Sequence, residues 1–154
     1  MTNLLEQRRI EGEIIRPVFD VLKERYGRTE AEEIMTLAIQ KAARESGLTE
    51  AQKMGGGSLL KFIALQPRWQ ADQALETNVL DQSEDRFDYN VTYCAYAEMY
   101  QKTGLKELGF ILSCNRDLAF IEGFAPDIEL KRTKTLMEGA DFCDFRYCKK
   151  QAGK

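Results

Sequence analysis

Residues 85–94 read DRFDYNVTYC, and their interpretation decides whether the chain is helical throughout or holds a sheet. Aromatic and β-branched side chains alternate there with polar ones at period two, the pattern of a strand with unlike faces. The preceding ALETNVL at 74–80 alternates in the same way, and DQSED at 81–85 supplies turn residues between them. The two runs are expected to pair as a hairpin. IELKRTKTLMEG at 128–139 alternates again, and FCDFRYC at 142–148 reads as a further strand.

Upstream the spacing changes to threes and fours. Leu4, Leu5, Ile10, Ile14, Ile15, Val18, Phe19 and Leu22 form the apolar stripe of an amphipathic helix, and Pro17 within it predicts a kink or the start of a second helix. Thr29 with Glu32 resembles a capping box for a run through Ile34, Leu37, Ala38 and Ala42 that Gly47 is expected to stop. Gly55 to Gly57 break any helix, and Ser58 caps a short one that ends at Pro67. This glycine loop lacks the G-K-[ST] ending of a phosphate cradle and reads as a hinge. AYAEMYQKTG at 95–104 and LKELGFILSCNRDLAFIEGF at 105–124 return to helical spacing, with Gly104 and Gly109 as breaks or tight packing points. The expectation is an α+β fold, N-terminal helices packed on a largely antiparallel sheet of about four strands. Residues 1–154 form one domain, with a helical segment at 1–53 and an α+β core at 54–148.

Composition narrows the function classes. With 44% apolar and 31% charged residues the chain is an ordinary folded protein, and its net charge of −3 with no basic stripe argues against nucleic acid as partner. Apolar runs such as Leu59 to Leu65 are too short to cross a bilayer, and the N-terminal MTNLLEQRRIEGE has no apolar signal core, so a cytoplasmic location is expected. The apolar stripe of the first helix is compatible with a homo-oligomer. Cys94, Cys114, Cys143 and Cys148 are expected as reduced thiols. No C-x-x-C occurs, and the absence of histidine excludes Ser-His-Asp triads, Cys-His pairs and histidine metal sites. Neither a cofactor nor a metal is implied, although Cys94, Cys114 and Cys143 could surround a soft metal if they met.

The remaining chemistry-bearing groups cluster in three stretches. Alternation along the last strand puts Cys143 and Phe145 on one face and Asp144 and Arg146 on the other. The same argument puts Asn90, Thr92 and Cys94 together on one face of the earlier strand. In SCNRD, Asp117 falls near enough to Cys114 or Ser113 to share a helical side. Strands about 5 Å apart would bring such groups within reach of one small molecule.

Four blocks carry a resemblance: N-V-T-x-C at 90–94, S-C-N-R-D at 113–117, R-T-x-T-L-M-E-G at 132–139 and C-D-F-R at 143–146. With the GGGS loop and the Trp69 to Glu76 segment, residues 54–147 resemble the L-2-amino-thiazoline-4-carboxylic acid hydrolase family. The resemblance implies hydrolytic opening of a cyclic amidine-like ring, 2-amino-thiazoline-4-carboxylate becoming N-carbamoyl-cysteine. Similar sequences often carry a histidine immediately before the last-strand cysteine, where Phe142 stands here. Set against that chemistry, Cys143 or Cys94 is the candidate nucleophile, and Asp117 or Asp144 the base for water or the anchor of the protonated amidine. Arg146, with Arg132 as alternative, suits a substrate carboxylate. Asn90 and Thr92 would orient the ring, with Cys114 beside them. The alternative is a non-enzymatic small-molecule or metal-binding domain using the same cysteine-lined pocket.

Overall fold

The computed structural model describes residues 3–152. Two long helices lead, α1 (Leu4–Tyr26) and α2 (Arg28–Lys53), followed by the short α3 (Leu59–Leu65) and α4 (Pro67–Gln70). Strands β1 (Leu75–Gln82) and β2 (Arg86–Cys94) form the expected hairpin. Then come α5 (Ala95–Lys102), α6 (Lys106–Gly109), a π-turn at Phe110–Cys114, α7 (Arg116–Phe124), β3 (Ile128–Lys131), a 3₁₀ turn at Leu136–Glu138 and β4 (Cys143–Lys149). The four strands make one antiparallel sheet in the order β1-β2-β4-β3. The fold is α+β, with N-terminal helices preceding an antiparallel sheet.

Several local expectations change. α1 runs unbroken through Pro17, so no second helix starts there; the ring removes one backbone donor and crowds the Glu13 carbonyl. The Thr29–Glu32 capping box does not form, because α1 and α2 join through Gly27 alone, whose φ of 85° suits a glycine. α2 also passes straight through Gly47. That glycine is a contact and not a stop: a Cβ there would lie 2.2 Å from the Phe120 carbonyl oxygen of α7. Gly123 of α7 makes the reciprocal approach, its Cβ falling 2.1 Å from the Arg44 oxygen. The two helices therefore pack backbone to backbone. Ser58 caps α3 as expected, accepting from the Lys61 amide, and Lys61 Nζ donates to the Met54 and Gly56 carbonyls at 2.9 Å each. A loop that gathers its carbonyls around a lysine presents oxygens where an anion cradle would present N–H groups. The alternating stretch after Ile128 gives only four residues of strand, since Arg132 to Thr135 leave the sheet to form a loop.

Burial divides into two clusters. One joins the inner sheet face to α3 and α7 through Phe62, Phe87, Tyr89, Phe124 and Tyr147. The other joins α1, α2, α5 and α6 through Phe19, Met35, Tyr100 and Leu108. Leu75 and Cys94 pack against both. No helix among the described residues is long and apolar enough to cross a membrane.

Candidate functional site

Where the two clusters meet, the inner sheet face encloses a cavity of about 130 Å³. Its apolar walls come from Phe62, Trp69, Tyr89, Phe120, Phe145 and Tyr147, and its polar groups include Cys94, Cys114, Asp117, Arg132 and Cys143. Five of the nine residues singled out from sequence thus face one space. The other four lie elsewhere.

A bulge explains half of that separation. Glu76 pairs with Tyr93 and Thr77 with Val91, so Thr92 is an extra residue in β2. An extra residue reverses the alternation beyond it. Phe87, Tyr89 and Val91 face inward, and Cys94 joins them, whereas Asn90 and Thr92 lie off the cavity. Thr92 is exposed and reaches only the Glu76 carbonyl, at 3.4 Å. The expected common face for Asn90, Thr92 and Cys94 does not exist.

Ordinary alternation explains the rest. In β4, Cys143, Phe145 and Tyr147 are buried, and Asp144 and Arg146 occupy the opposite face. Arg146 donates to the Tyr89 and Phe145 carbonyls at 2.9 and 2.8 Å and to Asn90 Oδ1 at 2.9 Å, tying β2 to β4 on the face away from the cavity. Asp144 Oδ1 accepts from the Thr133 and Lys134 amides at 2.8 and 2.9 Å, and its Oδ2 from the Thr133 hydroxyl. It thereby shapes the loop carrying Arg132. Burial is opposed by these donors, which hold the Asp144 carboxyl below its ordinary range. Thr135 completes the loop, buried and capping the 3₁₀ turn through Glu138 N.

Arg132 reaches back under the sheet. Its Nη1 donates to Asp117 Oδ2 at 2.6 Å and its Nη2 to the Cys114 carbonyl at 3.1 Å, with the guanidinium 5.1 Å from the Phe145 ring and 5.8 Å from Phe110. The π-turn between α6 and α7 closes through Asn115 N donating to Phe110 O at 2.8 Å, and it sets Ser113, Cys114 and Asp117 along the cavity. Asn115 turns the other way, bonding Gln40 and the Thr36 carbonyl of α2. Burial raises the Asp117 carboxyl above its usual range, with Arg132 pulling it back. The cation itself is pushed down by burial, but Asp117 and Cys114 outweigh this and leave it raised.

The three thiols share an electrostatic fate. Burial raises Cys94, opposed by the Ala97 and Tyr96 amides at the start of α5, where its Sγ serves as the helix cap. Burial, reinforced by Asp117, lifts Cys114 far above the usual thiol range. Cys143 is pushed up to about 11 by burial, although the Leu136 amide donates to its Sγ at 3.1 Å. All three stay protonated near neutrality. All four cysteines are free, and the described residues contain no group of three or more His, Cys, Asp or Glu placed to hold a metal.

Sequence reasoning missed Arg8 and Arg116, which also line the cavity. Arg116 sits inside S-C-N-R-D and was within reach; Arg8 lies in an Arg- and Glu-rich helical turn like any solvated one.

Two solved structures share the fold. The phenol-responsive sensory domain of the transcription activator PoxR, solved with phenol, superposes at a TM-score of 0.55 with 9% identity, over 92% of this chain and 74% of that one. Trafficking protein particle complex subunit 3 from Naegleria fowleri, covalently bound to palmitic acid, gives 0.50 and 15% identity over 92% and 96% of the two chains. Comparison with curated protein sequences finds no match. The family described as L-2-amino-thiazoline-4-carboxylic acid hydrolase matches residues 7–147, nearly the whole chain, and the protein belongs to that family.

Proposed function

We propose that the chain hydrolyses a small cyclic amidine or amide-like ring in this cavity, of the kind represented by 2-amino-thiazoline-4-carboxylate. The observation that carries this reading is the half-buried Asp117–Arg132 pair set in an apolar, sulfur-lined hollow of about 130 Å³. An engineered cavity of about 150 Å³ holds a benzene ring, so a single-ring substrate is the right size. The family membership supports the same chemistry.

Protonated thiols make poor nucleophiles, so water attacks. Asp117, a stronger base for being partly desolvated, takes a proton from water as the water oxygen bonds to the ring carbon between nitrogen and sulfur. The tetrahedral adduct collapses to a urea carbonyl with rupture of the carbon–sulfur bond. The two water protons finish on the ring nitrogen and on the departing sulfur, Asp117 relaying one of them. Arg132 keeps Asp117 aimed, and Cys94 and Cys143 contribute wall and weak S–H donors. Asp144 acts at a distance by fixing the Arg132 loop.

A second reading, a small-molecule-binding domain without turnover, is favoured by the depressed thiol reactivity and by the tight Arg132 hold on Asp117. The PoxR sensory domain with its phenol is a fold relative consistent with it. One assay separates the two. Opening the thiazoline releases a free thiol, which a colorimetric reagent detects. Wild type is expected to release it, Asp117→Asn to lose at least about 100-fold in rate, and Cys143→Ala to retain most of it. Loss of turnover in Cys143→Ala would restore covalent catalysis. Saturable binding with no thiol release from wild type would establish the binding domain.

A further inference from the structure

The ring-opening chemistry leaves two enclosed cavity arginines without a task. Arg8 of α1 and Arg116, the first residue of α7, both line the cavity, with side chains only 12% and 18% exposed. They share one carboxylate. Arg8 Nη1 donates to both oxygens of Glu11 at 3.0 and 2.8 Å, and Arg116 Nη2 reaches Glu11 Oε2 at 3.4 Å. Arg116 Nε donates to the Leu112 carbonyl at 2.6 Å. Among the described residues, Nε and Nη2 of Arg8 and Nη1 of Arg116 meet no protein acceptor.

Two enclosed cations thus bond a single carboxylate, while Asp117, which also acts on both, is already paired with Arg132, and the imbalance has a consequence. A guanidinium does not shed its proton in a protein, so excess charge here is relieved by an added anion. Burial and the neighbouring Arg8 both depress the Arg116 pKa, which is the same need expressed as a titration. The other cavity cations are already committed: Arg132 is bonded to Asp117, and the half-exposed Arg68 lies 3.6 Å from Glu50. A planar carboxylate matches the free guanidinium edges in geometry as well as charge, and the aromatic walls with a one-ring volume lie beside them.

We infer that Arg8 and Arg116 form an anion subsite that receives the carboxylate of a one-ring organic acid while its ring lies against the aromatic wall near Asp117. This rests on the ring-opening proposal and deepens it by naming the residues that take the substrate carboxylate, yet it concerns binding and stands apart from turnover. It gives to this pair the carboxylate-binding task that Arg146, on the far face of the sheet, is not placed to perform.

Trp69 is the chain's single tryptophan and lines the cavity, so its fluorescence reports occupancy without catalysis. Titration with 2-amino-thiazoline-4-carboxylate and with the corresponding neutral carboxamide is expected to show the acid binding roughly 10- to 100-fold more tightly. In Arg8→Gln/Arg116→Gln that preference should vanish while carboxamide binding persists. Equal affinity of acid and amide for wild type overturns the subsite and requires no variant, so a folding defect in the double variant offers it no shelter. An undiminished preference for the acid in a folded double variant also overturns it, as does quenching by neither compound. Arginine-dependent binding of the acid without release of product thiol upholds the subsite and removes the hydrolase reading alone.

Discussion

Cys143 shows how little a residue's type says about its reactivity. It is 6% exposed, and its pKa is pushed up to about 11 from an ordinary value of 9.0. A thiol held protonated to that extent has a thiolate fraction at neutrality lower by about 100-fold. Alkylation by iodoacetamide at pH 7 should therefore be about two orders of magnitude slower at Cys143 than at a solvated cysteine, and should climb with pH toward 11 with no plateau near 9. Peptide mapping by mass spectrometry checks it, and rapid labelling at pH 7 would return a thiolate mechanism to consideration. At this scale the sequence was readable where periodicity held. Alternation in FCDFRYC correctly separated Cys143 and Phe145 from Asp144 and Arg146. It misled at Cys94, because nothing in NVTYC announces that Thr92 is a bulge. Arg8 was invisible for a different reason: its Arg- and Glu-rich surroundings are those of a surface helix, and only the packing of α1 against α2, α5 and the π-turn encloses it.

The helices α2 and α7 depend on glycine at their crossing. A Cβ at Gly47 would sit 2.2 Å from Phe120 O and 2.9 Å from Phe124 N, and one at Gly123 would sit 2.1 Å from Arg44 O. These are backbone atoms, which cannot swing aside as a side chain would. Overpacking of this kind typically costs about 1–3 kcal/mol, and each Gly→Ala change should fall at the upper end of that range in urea unfolding. Both clashes are relieved by the same movement, the separation of the two helices, so the double variant should lose less than the sum of the singles. Strict additivity would mean that the sites yield independently. The reading of Gly47 as a helix stop rested on a sound local rule, since glycine after an apolar run often ends a helix. The rule lost to a tertiary demand that no single segment expresses. The hairpin, α5 and the Ser58 cap of α3 needed no such information, being set by neighbours a few positions away.

Across the whole molecule, the cavity lies between two hydrophobic clusters, and it and the core beside it hold buried groups that titrate on the alkaline side. Sequence periodicity could place each cluster's elements but not the hollow between them, which belongs to neither. Burial raises the thiols of Cys94, Cys114 and Cys143, moves Tyr96 and Tyr100 to about 12, and lifts Tyr89 and Tyr147 well above 10. In each case the folded protein holds the proton more tightly than the unfolded chain, whose cysteines release it near 9 and whose tyrosines near 10. Unfolding therefore releases protons across that window, and stability falls as pH rises through it. Below about pH 8 these groups are protonated in both states and contribute no slope. For Cys143 alone, the interval between its unfolded value and about 11 means a loss of about 1.4 kcal/mol on reaching pH 10. Cys94 and Cys114 act in the same direction. For a chain of this length about 1 kcal/mol corresponds to 2–4 °C, so the melting temperature should hold from pH 7 to 8 and then drop by several degrees toward pH 10. Cys143→Ala starts from a lower melting temperature for want of the buried side chain, but its decline should be shallower by the share that one thiol contributes. A flat profile to pH 10 would mean that water enters the cavity freely enough to solvate the thiolates. Equal steepness in the variant would place the titrating groups elsewhere in the fold.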